Sequence, residues 1–139
     1  MAAVYEKVSG LVMAEKWEEA FQEVLSQSDL RLVVWLCKST QPQRIFATRP
    51  PSLTPPVVLS LVQQLGFDLS SDAQIKVQWL GQAVMALDPK DPTIGPHVPG
   101  ILRDVLGKLS ALEVNPAENP VTQENDFRVL MHVVRSMSQ

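Results

Sequence analysis

SLTPPVVLSLVQQLGFDL, residues 52–69, decides the fold. Thr54 has the chemistry of a helix N-cap, and Pro55 and Pro56 fall in the first turn, where a missing N–H costs nothing because that donor has no helical partner. At roughly 100° per residue, Val58, Leu61, Val62, Leu65 and Leu69 share one broad face, while Ser60, Gln63 and Gln64 share the opposite one. A stripe this wide must be covered by other helices. The segment therefore predicts a helix at the centre of a helical core.

The same periodicity extends in both directions. Upstream, Val4, Val8, Leu11 and Val12 mark a short helix from Val4 to about Ala14, weakened by Gly10. Trp17, Ala20, Phe21, Val24 and Leu25 then mark a helix over Glu15 to Ser26 whose outer side is acidic. Ser28 is the expected cap of the next helix, and Asp29 adds a favourable charge near its start. In DLRLVVWLCK the apolar residues surround most of the axis, leaving a polar wedge at Arg31 and Lys38 with Trp35 at its edge. Pro42 opens a short helical turn through Ile45 and Phe46, and RPPSLTPP is a rigid connector.

Downstream, Ile75, Trp79, Leu80, Ala83, Val84 and Leu87 mark a helix that DPKDP stops. Lys76 is the one charge on that inward arc. Val98, Ile101, Leu102, Val105, Leu106, Leu109 and Leu112 mark another helix, residues 115–125 are expected to form a mobile loop, and Phe127, Leu130, Met131, Val134 and Met137 mark the last helix. No strand-like alternation competes. The expected fold is all-α: one domain over residues 1–139, an irregular α/α-repeat (ARM/HEAT-like) of antiparallel helix pairs. The pairs are Glu15–Ser26 with Asp29–Ser39, Thr54–Leu69 with Ala73–Leu87, and Val98–Leu112 with Thr122–Met137.

At 139 residues and 45% apolar content, the chain can bury a core without a disulfide or metal. Its apolar runs stop short of the ~18 residues a membrane span requires. One cysteine and a start lacking a basic-then-apolar block fit an intracellular, reducing compartment. The net charge of -3 opposes whole-surface attraction to nucleic acid or anionic lipid. Locally the balance reverses: Arg31, Lys38, Arg44 and Arg49 occur in a stretch without an acid, after an acid-rich one.

Catalytic chemistry has no visible foothold. A metal site needs convergent ligands, yet His97, His132 and Cys37 form no pair at helical spacing, and neither a phosphate-cradling loop nor a nucleophile elbow is present. Cys37 reads as a small core residue, and no metal or cofactor is expected. The basic stretch has two readings. Its cations are solvated side chains partly neutralised by the acidic helix before them, or they line a basic concavity beside Trp35 suited to an acidic peptide or to phosphates. Lys76 either lays its stem over apolar surface with its ammonium in water or takes part in binding. Trp17 and Trp79 read as core.

EEAFQEVLSQSDLRLVVWLC, TRPPSLTPPVVLSLVQQLGFDL and IKVQWLGQAVMALDPKDP, in that order, resemble the C-terminal domain of the enhancer-of-mRNA-decapping scaffold family, which includes Hedls and the plant protein Varicose. The resemblance runs from Trp17 to Leu112 and resumes in RVLMHVVRSM; Pro56 departs from it. It implies an all-helical α/α-repeat module at the end of a much longer scaffold that carries a WD-repeat propeller and helical oligomerisation segments, so that Met1 begins an excised fragment. It also implies a cytoplasmic, P-body protein whose partners are the decapping enzyme, its activators and other mRNA-decay proteins.

The expected function is thus a non-catalytic protein-interaction module. Its expected contact residues are Arg31, Lys38, Arg44, Arg49 and Lys76 as cations and Trp35 as anchor, placed by charge pattern and not by any family motif. Three alternatives stand beside it: direct RNA binding by the same strip, self-association of the helical repeat, and a helical enzyme in which Cys37, His97 or His132 meets a carboxylate in a deep cleft.

Overall fold

The computed structural model describes residues 2–47 and 52–138. Among the described residues eight α-helices follow one another: α1 (Ala2–Met13), α2 (Trp17–Ser26), α3 (Leu30–Lys38), α4 (Pro42–Phe46), α5 (Pro55–Phe67), α6 (Ala73–Ala86), α7 (Val98–Glu113) and α8 (Asn125–Met137), with 3-10 turns at Gly95–His97 and Pro120–Gln123. No strand occurs among the described residues.

The three expected pairs form: α2 with α3, α5 with α6, α7 with α8. They also stack, because α5 lies between α2 and α7 while α6 lies between α3 and α8. This is the all-α, irregular α/α-repeat arrangement of antiparallel pairs. The irregularity comes from α1, which packs on α2, and α4, which packs on α6. The central segment is more enclosed than its stripe alone suggests. Val57 and Leu59 are buried beside Val58, Leu61, Val62 and Leu65, since α5 has neighbours in all three layers.

Helix ends explain where each rod stops. Ser28 does not cap α3; it adopts a left-handed conformation (φ 52°) just past the end of α2, the usual way a helix terminates. Asp29 is the cap instead, its Oδ1 accepting the Arg31 N–H at 3.0 Å. Glu15 and Asp72 are also left-handed, at the α1–α2 and α5–α6 junctions. Thr54 holds the N-cap position of α5, but its hydroxyl donates elsewhere. The link after α6 is fastened by buried Ile94, and only glycine fits at 95, where a Cβ would sit 2.5 Å from the Pro89 carbonyl oxygen.

Residues 115–125 are better anchored than a mobile loop. Asn119 Nδ2 donates to the Leu112 and Asn115 carbonyls at 3.2 and 3.0 Å, and Val121 and Thr122 are buried. The side-chain cap and the 3-10 turn take up residues that would otherwise lengthen α8, which starts at Asn125 instead of Thr122. The core is one continuous cluster from Val8 to Val134. Trp79 sits at its middle, 1% exposed, with Phe21 and Phe46 rings 5.7 and 6.2 Å away.

Candidate functional site: a mixed-charge cleft beside Trp35

The polar wedge of α3 faces the α5–α6 turn across a shallow, open cleft of about 460 Å³, lined by Leu30, Arg31, Val34, Trp35, Lys38, Asp68, Ser71, Asp72 and Lys76. Four of the six sequence-predicted residues meet here: Arg31, Trp35, Lys38 and Lys76. Trp35 is half-buried and set by Tyr5 of α1, whose ring meets it edge-on at 4.8 Å. Its indole forms a wall with Leu30 and Val34.

The cleft is not the basic concavity that the charge pattern suggests. Arg31 Nε lies 3.3 Å from Asp29 Oδ1; that hydrogen bond holds the Asp29 carboxyl below its ordinary range and the guanidinium above its own. Lys38 Nζ lies 3.2 Å from Asp72 Oδ1. Each rim cation therefore has an acidic mate. These pairs are exposed, and exposed pairs exchange partners at little cost.

Lys76 corrects both readings of its sequence position. It is 1% exposed, so its ammonium neither reaches water nor stands free for a partner. Nζ donates to the Asp68 carbonyl at 2.6 Å, just beyond the C-terminus of α5, where the helix dipole favours a cation. Burial lowers its pKa, opposed by the charges of Asp68 and Asp72. The Ser70 hydroxyl and N–H in turn donate to Asp68 Oδ1 and lower the pKa of that carboxyl. Lys76 thus fixes the turn that forms one wall of the cleft.

Arg44 lies elsewhere. It pairs with Glu15 at 2.7 Å and covers the Trp17 ring at 5.6 Å, on the flank where α4 meets the α1–α2 junction. Arg49 lies outside the described residues. The candidates of the enzyme alternative do not gather in any of the described pockets: Cys37 is buried, its thiol ionisation pushed up by desolvation, His97 lines an open groove against α7, and His132 is exposed on α8. No group of three or more His, Cys, Asp or Glu able to hold a metal ion exists among the described residues, and no described helix is long and apolar enough to cross a membrane.

A second concavity escaped the sequence reading. Between α5 and α7 a groove of about 530 Å³ is lined by Gln63, Gly66, Phe67, Ile101, Val105 and Lys108 among others. Phe67 is 72% exposed there, with Lys108 Nζ 5.5 Å from its ring centroid. The signal was present: Phe67 continues the Ser60 and Gln63 row on the polar side of α5.

Comparison with known proteins agrees with the architecture. Residues 8–130 match the family model described as enhancer of mRNA-decapping protein 4, C-terminal. The chain belongs to this family. The decapping-enhancer relatives include the Xenopus laevis protein, 45% identical over 91 residues, 66% of this chain and 6% of the relative. The Rattus norvegicus protein is 40% identical over 115 residues, 82% of the chain and 8% of the relative. The Drosophila melanogaster homologue is 28% identical over 129 residues, 93% and 9%. The crystal structure of the conserved C-terminal region of Ge-1 superposes with a TM-score of 0.82 at 28% identity, covering 96% of this chain and 98% of that one. The chain thus spans less than a tenth of the curated relatives it matches, and those relatives are named for enhancing decapping.

Proposed function

We propose that this domain is the non-catalytic protein-docking module of an mRNA-decapping scaffold. It meets the decapping enzyme, its activators or other mRNA-decay proteins, and supports cytoplasmic P-body localisation. The observation that carries the proposal is the family match over residues 8–130, joined to a fold whose concavities are shallow and open. Arg31, Lys38 and Trp35 are the contact residues: an aromatic wall beside cations whose weak surface pairs can be traded for a partner's carboxylates or carbonyls. Lys76 acts by holding the opposite wall, and Arg44 extends the contact only if the partner wraps past the cleft.

Arg31→Glu with Lys38→Glu and Trp35→Ala tests this. Capture of decapping factors from cell extract and recruitment to P-bodies should fall at least tenfold, with the circular dichroism melt within a few degrees of the parent. Undiminished recruitment would refute the site. Charge reversal at Lys76 is unsuitable, because a buried carboxylate there would unfold the turn. If the strip instead binds RNA, affinity for an oligonucleotide should fall steeply with salt.

A further inference from the structure

We propose that Thr54 is a modification site for a proline-directed protein kinase, and that its phosphate disconnects α2 from α5. The proposal concerns regulation of the fold and does not depend on the docking role. Of the 11 prolines, only Pro55 follows a serine or threonine, so a kinase that requires proline after its target has one candidate in the chain. Thr54 is exposed and extended (φ -71°, ψ 158°), at the junction before α5.

What the hydroxyl does makes the position consequential. A threonine at an N-cap ordinarily serves its own helix, but here Pro55 and Pro56 remove the nearest N–H donors. The anion at the helix start comes from α2 instead. Glu18 Oε2 accepts the Thr54 hydroxyl at 2.6 Å, and Glu18 Oε1 accepts the Thr54 N–H at 2.8 Å. One carboxylate thus straps the first layer of the stack to the second.

Kinase chemistry would invert this contact. The γ-phosphoryl bond of ATP breaks to release ADP, a bond forms between phosphorus and Thr54 Oγ1, and the hydroxyl proton leaves to the kinase's base. The proton that made the 2.6 Å bond is gone, and a charge of about -1.5 to -2 stands against Glu18. The phosphate itself suits the positive end of α5 and can accept the Thr54 N–H. A cap lent by α2 is replaced by one carried on α5, and the strap opens.

The test uses the folded domain, a purified mitogen-activated protein kinase and magnesium ATP, with the phosphate located by mass spectrometry. One phosphate on Thr54 is expected, absent from Thr54→Ala, and the melting temperature should fall by about 3 °C. In Glu18→Lys the same phosphate should raise the melting temperature. Should that variant not fold, Glu18→Gln should at least halve the loss. Absence of phosphate from Thr54 overturns the site, and a phosphate-induced loss that Glu18 substitutions leave unchanged overturns the uncoupling.

Discussion

Gly66→Ala puts a methyl group into the seam between the second and third layers. Its Cβ would lie 2.7 Å from Val105 Cγ2, whereas apolar carbons rest about 3.5–4.0 Å apart, so α5 and α7 must separate by nearly ~1 Å or the valine must turn. Valine in a helix is confined largely to one χ1 rotamer, and Val105 is buried, so the neighbour cannot simply swing aside. Overpacking of this kind costs about 1–3 kcal/mol, and alanine's better helix propensity returns at most about 1. A net loss of up to about 2 kcal/mol remains, a fall in melting temperature of up to roughly 6 °C. Urea unfolding followed at 222 nm should show a lower midpoint at unchanged slope. Val105→Ala removes the obstructing methyls, so adding Gly66→Ala to it should be neutral or stabilising, a coupling of the opposite sign to the single change. A Gly66→Ala protein more stable than the parent, or additive effects in the double variant, would show that the two helices do not meet this closely.

Other outcomes follow from burial and ionisation. Trp79→Ala empties the centre of the core and should cost about 3–5 kcal/mol, measured by the same unfolding curve. Cys37 is buried with its pKa raised by desolvation, so the folded thiol keeps its proton where the unfolded one, near ~8.5, loses it. Its contribution to stability is full below that value and is lost as pH rises above it, by up to about 1.4 kcal/mol per pH unit. Cys37→Ala should flatten this alkaline decline. Lys76 works the other way: its folded pKa lies below the unfolded one, so its desolvation penalty is relieved as pH climbs from the folded value towards about 10.4, and Lys76→Met should remove that rise from stability measured on the approach to that pH.

Helix identity was legible because apolar spacing is a property of each segment alone. Trp17, Phe21 and Val24 on α2, or Phe127, Leu130 and Val134 on α8, point inward wherever their partners come from. Lys76 was legible as an inward charge, but not as a turn-holding one, since its acceptor is the carbonyl of Asp68, which a side-chain pattern cannot display. The basic strip misled for a related reason. Asp72 is 34 positions from Lys38, so that neutralisation depended on the stacking of layers, whereas the pairing of Arg44 with Glu15 is the neutralisation by the preceding acidic stretch that the sequence offers. Capping failed at single-residue precision: Ser28 and Asp29 are both good caps in isolation, and the left-handed turn at Ser28 gave the place to Asp29. Phe67 was legible from its place four and three residues after Gln63 and Gln64 on the polar side of α5, but an aromatic side chain there reads as core until the neighbouring helix is placed.

The exposed side of α8 carries Arg128, His132 and Arg135. Another helix pair laid over them would have to strip water from most of these charges without supplying their counterions. A layer added on that side would have to bring acidic groups of its own, so that stacking there is a matter of charge matching instead of apolar burial.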